Sequence, residues 1–115
     1  EGQYISAFDL FLLAKDALQN PLLVKIVGTS EIILYSYDKE FTHPVSNINT
    51  LLRQDPRVKG IKTGWTLAAG ECFVGLAEEN GRQVITVVLG SQDRFGDTEK
   101  LLDWVFGNFQ WVIPE

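Results

Sequence analysis

The spacing of apolar side chains divides the chain into a helical opening, a strand-rich middle and a helical end. Leu10, Leu13, Ala14, Ala17 and Leu18 recur at the i, i+3, i+4, i+7 and i+8 spacing that lines one face of a helix, which predicts a helix from Ser6 to about Leu18. Ser6-Ala7-Phe8-Asp9 opens it like a capping box, with a hydroxyl and a carboxylate placed to satisfy free backbone amides. Asn20-Pro21 interrupts the pattern, and Pro21 can open a second short helix through Leu22, Val24 and Ile26 that Gly28 closes. Ile32 to Tyr37 is rich in β-branched and aromatic residues and reads as a strand. Phe41 to Asn49, with Pro44 and two asparagines, predicts an irregular segment, and Leu51-Leu52 a short helical turn before Asp55-Pro56.

Three strands are expected next. Val58 to Thr66 is the first; Glu71 to Glu79 and Arg82 to Leu89 are the others, joined by Asn80-Gly81, a two-residue loop suited to a type I′ hairpin. Val84, Ile85, Val87, Val88 and Leu89 barely alternate with polar residues, which predicts a strand buried on both faces. Asp97 to Phe109 then reads as a helix with Leu101, Leu102, Val105, Phe106 and Phe109 on one face. Helices, an antiparallel three-stranded meander and a closing helix make an α+β arrangement.

Composition narrows the function. A formal net charge of −5 with no basic stripe argues against nucleic acid. No apolar run is long enough for a membrane span, and the start has no basic-then-apolar signal pattern. One histidine, His43, and one cysteine, Cys72, cannot build a His or thiolate metal site, and Cys72 cannot form an intrachain disulfide. His43 beside Pro44 reads as a solvated loop side chain, Cys72 as a small apolar strand residue, and Trp104 and Trp111 as packing or linking residues. No methionine is present, the chain opens on Glu1, and the apolar stretch Phe109, Trp111, Val112, Ile113 stops at Pro114-Glu115. The expectation is a piece of a larger protein, with a following segment starting near 110–115.

The chemistry concentrates at Lys62-Thr63-Gly64, followed by Trp65-Thr66, on an expected strand. Gly60-Ile61-Lys62-Thr63-Gly64 lacks the order of a phosphate loop, and no helix follows to present its amides, so nucleotide binding is rejected. A strand carrying an ammonium, a hydroxyl and an unhindered backbone edge suits an anionic peptide terminus: charge and hydroxyl for the carboxylate, main chain for the extended backbone. A surface lysine beside a strand threonine is the plain structural alternative. Trp65 could equally pack on a substrate or cover the sheet.

The segment from Gly60 to Thr66, then Ala69-Gly70, resembles the third motif of serine-type D-alanyl-D-alanine carboxypeptidases, the low-molecular-mass penicillin-binding proteins. Tyr4, Ser6, Ala7, Asp9 and Leu10 resemble that family's Tyr-Ser-(Thr/Ser)-Ala-x-Asp-Leu helix start. Asn47 to Leu52 resembles its Asn-x-Asn-x-Leu-Leu segment, and Leu101-Leu102-Asp103 fits its last helix. The resemblance covers residues 1–115 as the C-terminal portion of a penicillin-binding/β-lactamase-like transpeptidase domain. It implies hydrolysis of the terminal D-alanine of peptidoglycan stem peptides, and penicillin binding, through an acyl-enzyme on a serine of an S-x-x-K motif. Lys62 would then supply positive charge near a second serine and the substrate carboxylate, and Thr63 would hydrogen-bond that carboxylate. Gly64 would leave room for the substrate, and the Trp65 amide would be one oxyanion-hole donor.

The departures are as informative. Ser36-Tyr37-Asp38-Lys39 matches S-x-x-K literally, but after an expected strand rather than opening a buried helix, and is read as chance. No S-x-N triplet exists in the chain. The expectation is a segment that supplies the substrate strand and is inactive alone, with no metal or organic cofactor, from a parent acting outside the cytoplasmic membrane. Any membrane attachment would lie in segments outside this chain. A β-lactamase-like hydrolase, a transpeptidase and a non-catalytic wall-peptide or β-lactam-binding module are the alternatives. In the family resembled, N-terminal strands pair with the third strand; without them the Arg82–Leu89 edge is expected bare, and the chain is expected to self-associate by strand-edge pairing.

Overall fold

A computed structural model describes residues 2–114; Glu1 and Glu115, on which the expectation of a longer parent partly rests, lie outside the described residues. Helix α1 (Ala7–Ala17) starts where the capping box places it: the Ser6 Oγ accepts from the Asp9 amide at 3.0 Å and donates to the Asp9 carboxylate at 2.8 Å. Helix α2 (Pro21–Val27) is opened by Asn20, whose side-chain oxygen accepts from the Leu22 and Leu23 amides at 3.0 and 3.3 Å. Both helices follow the sequence expectation.

The stretch expected to be irregular is not. Strands β1 (Glu31–Tyr35) and β2 (Thr42–Ser46) form a two-stranded antiparallel sheet, with Ile33 opposite Pro44 and Leu34 opposite His43. A proline donates nothing to a ladder, and an edge strand tolerates it because one side of its backbone faces away from any partner. His43 is exposed there, on a strand and not in a loop. Asn47 ties the end of the hairpin to the connection between α2 and β1: its backbone amide donates to the Ser30 carbonyl at 2.8 Å and its Nδ2 to the Thr29 carbonyl at 3.0 Å.

The short α3 (Leu51–Gln54) leads into the three-stranded antiparallel sheet, ordered β3 (Val58–Thr66), β4 (Gly70–Glu79), β5 (Arg82–Ser91). The β4–β5 turn has φ of 51° at Asn80 and 75° at Gly81, the double left-handed conformation that a type I′ hairpin needs. Paired residues share a face of the sheet. Phe73 and Ala77 lie on the face covered by α4 (Arg94–Asn108), and with Leu51, Val58 and Leu102 they form the core. Phe95 meets Phe73 edge-on at 5.5 Å.

Two expectations need correction. The strand now seen as β5 is not buried on both faces: Thr86 and Val88 are buried, Val84, Ile85 and Val87 half-buried, and Leu89 exposed. β5 ends the sheet order, so its unbroken apolar run borders an edge, and α1 covers its other face incompletely. A cavity of about 420 Å³, lined by Leu10, Leu13, Ala17, Val74 and Leu89 among others, separates α1 from the sheet. The last helix begins three residues before the expected Asp97, because Asp93 caps it by accepting from the Gly96 amide at 2.9 Å. Leu102 is fully buried on its inner face, whereas Leu101 is exposed and Phe109 lies just past the helix, edge-on to Trp104 at 4.9 Å. Trp111 stacks on Phe106 at 5.7 Å beneath the Arg82 guanidinium, fastening the tail to the β4–β5 hairpin.

Candidate substrate-binding site

Lys62, Thr63, Gly64 and Trp65 lie on β3, at one edge of the three-stranded sheet. Register divides them between two faces. Lys62 pairs with Val74 and Gly64 with Cys72; Thr63 pairs with Phe73 and Trp65 with Glu71. Thr63 and Trp65 thus share the α4 face, while Lys62 and Gly64 lie on the α1 face. An anion seated on the edge between them can be approached by the Lys62 ammonium from one face and the Thr63 hydroxyl from the other. Lys62 is exposed and its Nζ turns back to donate to the Thr63 carbonyl.

Glycine at position 64 is not required by the protein's own packing. A Cβ there would lie 4.0 Å from the Cys72 Cβ, an ordinary contact. At Gly60 it would come within 2.9 Å of Val27 Cγ2, and at Gly75 within 2.7 Å of Thr86 Oγ1, so those two glycines are explained by the fold. Gly64 is exposed and lacks such an explanation.

The structure adds a residue that sequence reasoning missed. Arg94 opens α4, and its Nη1 donates to the Gly64 carbonyl at 3.1 Å while its backbone amide donates to Glu71 Oε2 at 3.0 Å. Its Nε is buried without a hydrogen-bond partner. A second cation therefore stands against the Lys-Thr-Gly strand, from a position thirty residues along that no local pattern marks. Cys72 is a free, half-buried thiol on the strand beside Gly64. Ser36 is not brought to this site by any contact or cavity lining; it sits in the turn after β1, its hydroxyl donating to Asp38 and accepting the Phe41 amide at 3.0 Å. Among the described residues no group of His, Cys, Asp and Glu could hold a metal ion, and no helix is long and apolar enough to cross a membrane.

A helix-flanked antiparallel sheet bearing Lys-Thr-Gly on its edge strand fits the penicillin-binding class. The family described as D-alanyl-D-alanine carboxypeptidase matches residues 1–93, and the chain belongs to it. It is 34% identical over 114 residues to the D-alanyl-D-alanine carboxypeptidase DacF of Bacillus subtilis, covering 96% of this chain and 29% of that protein. It is 35% identical over 120 residues to DacC of Escherichia coli, covering 98% and 28%. Among solved structures, a mutant of the Streptomyces K15 DD-transpeptidase superposes with a TM-score of 0.83 at 26% identity, covering 93% of this chain and 44% of that one. A penicillin-binding protein of Listeria monocytogenes in its cefotaxime-bound form superposes at 0.69 with 34% identity, covering 83% and 38%. The chain thus spans under a third of the length of these curated relatives.

Proposed function

We propose that this chain supplies the substrate-binding strand of a serine D-alanyl-D-alanine carboxypeptidase that trims peptidoglycan stem peptides in the cell envelope and is acylated by β-lactams. The observation that carries the reading is Gly64 on the edge strand: an exposed glycine that packing does not require, between an ammonium and a hydroxyl on opposite faces. A peptide ending in D-Ala-D-Ala adds to that edge as an extra strand, its main chain pairing with β3. Its carboxylate lies between Lys62 and Thr63, with the Arg94 guanidinium nearby, so binding rests on charge-assisted hydrogen bonds. The Trp65 amide donates to the oxyanion formed when a serine outside this chain attacks the penultimate carbonyl. Water then hydrolyses the acyl-enzyme.

The test is a titration of the isotope-labelled chain with Nα,Nε-diacetyl-L-lysyl-D-alanyl-D-alanine, followed by NMR. Shifts should centre on Lys62 to Trp65. Lys62→Ala, which removes a charge-assisted contact worth roughly 1.5–3 kcal/mol, should weaken binding about 10- to 100-fold. Lys62→Arg should keep part of the affinity, since charge survives while geometry changes. Binding unaffected by Lys62→Ala would reduce the motif to a structural strand.

A further inference from the structure

The two edges of the β1–β2 hairpin differ in chemistry. The Asn47 amide donates to the Ser30 carbonyl and the Ser36 amide to the Phe41 carbonyl, one at each end of the ladder. Antiparallel bonding alternates from residue to residue, so Ile32 and Leu34 direct their backbone groups toward Val45 and His43. Glu31, Ile33 and Tyr35 direct theirs outward from β1, and Thr42, Pro44 and Ser46 outward from β2. Pro44 has no N–H to give at the centre of the outer β2 edge. The outer edge of β1 has its full row of donors and acceptors.

Both faces of the hairpin are apolar and open. Ile32, Leu34 and Val45 share one face, and Ile33, Tyr35 and Pro44 share the other. Every residue of the two strands is exposed, Ile33 at 54% and Tyr35 at 62%. Among the described residues β1 pairs with β2 alone. Two strands by themselves make a marginal sheet in water, and stability comes with further strands and a covered apolar face.

We propose that the outer edge of β1 docks β1 of a second copy of this chain, giving a four-stranded sheet in the order β2–β1–β1–β2. The strand is self-complementary about Ile33. In an antiparallel pair centred on that residue, Ile33 faces Ile33 of the second copy and Ile32 faces its Leu34. Glu31, the one charged residue of β1, faces Tyr35 of the second copy. No like charges meet, and apolar side chains continue across the junction on both faces. Pairing satisfies the outward amides and carbonyls of Glu31, Ile33 and Tyr35. The new sheet ends on β2 at both sides, where Pro44 opposes a further strand, so this contact closes at two chains.

In that register, positions 32 and 34 of opposite copies form a narrow pair, about 4.5 Å between Cα atoms. Like positions lie beyond the roughly 7 Å that a disulfide spans. The test mixes an isotope-labelled Ile32→Cys chain with an unlabelled Leu34→Cys chain, both also carrying Cys72→Ser. After oxidation in air, mass spectrometry counts the linked pairs. Mixed labelled–unlabelled pairs should far exceed the share that random encounter gives. Ile33→Pro in both chains removes the central outward donor and leaves the β1–β2 ladder bonds in place. Ile33→Lys sets two ammoniums opposite each other. Each should abolish the mixed pair in chains whose NMR dispersion shows them folded, whereas Leu89→Lys, at the separate β5 edge, should leave it unchanged. Mixed pairs at the random share, their survival in either folded position-33 variant, or their loss on Leu89→Lys would overturn the inference, whether the edge stays bare or another segment takes it.

Discussion

Gly64 stands opposite Cys72 across the β3–β4 ladder, and a methyl group placed on it would meet only the Cys72 Cβ, at 4.0 Å. Alanine at position 64 should therefore leave thermal stability equal or slightly raised, since glycine in a strand costs roughly 0.5–1 kcal/mol relative to alanine. The same substitution should obstruct a peptide lying along the strand and weaken its binding about tenfold or more. Gly75→Ala is the contrast, because its methyl would meet Thr86 Oγ1 at 2.7 Å and the Phe73 ring at 3.0 Å. That variant should lose about 1–3 kcal/mol of stability through overpacking. Calorimetry and NMR titration of the two variants check both halves.

Asp55 should contribute to the acid limit of the fold. Its buried carboxylate accepts from Arg57 Nε at 3.0 Å and Nη2 at 2.7 Å, and Arg57 also reaches Asp103 at 2.8 Å, joining the start of β3 to α4. Those Arg57 hydrogen bonds hold the Asp55 carboxyl below its ordinary value, against the opposing effect of burial. A depressed carboxyl stabilises fully above its unfolded value of about 3.9 and loses that contribution as pH falls through the lower folded value. Asp55→Asn should cost about 1.5–3 kcal/mol at neutral pH. It should also flatten the loss of stability expected below about pH 4 in urea melts of the unsubstituted chain. An equally steep acid limb in the variant would assign acid sensitivity to other carboxylates.

Ser36 should not be acylated by penicillin. Its hydroxyl is engaged with Asp38, whose carboxyl is held below its ordinary value chiefly by that bond and is a correspondingly weak base. Lys39 forms part of the same turn with φ of 63°, unlike a helical position one turn after a nucleophile. Incubation with a labelled penicillin should yield no covalent adduct by mass spectrometry. An adduct at Ser36 would refute the reading of Ser36–Lys39 as a chance match.

The outer edge of β5 should pair with a second copy of the chain. Among the described residues β5 pairs only with β4. Its stretch from Val84 to Leu89 has no charge and no proline, the profile of an edge prone to pairing. Leu89 is 42% exposed, so Leu89→Lys should shift sedimentation toward monomer without unfolding the chain. A monomer at millimolar concentration in the unsubstituted chain would rule out this pairing.

Local chemistry written in the sequence determined the elements whose causes are local. Ser6 and Asp9 start α1, Asn20-Pro21 starts α2, and Asn80-Gly81 turns β4 into β5, because each acts on backbone groups within a few residues. Lys62-Thr63-Gly64 marked the candidate strand by resemblance. Other features depended on distant partners. β2 exists because β1 lies beside it, which makes Pro44 acceptable at an edge that residue preference alone counts against. The apolar run of β5 signalled double burial, yet strand order placed it at an edge, where a run of side chains carries no information about what pairs with its backbone. Arg94 reaches Gly64 because the β3–β4–β5 meander returns the chain to the strand end where α4 begins. A contact across thirty residues is set by register and packing, and no periodicity in the sequence encodes it.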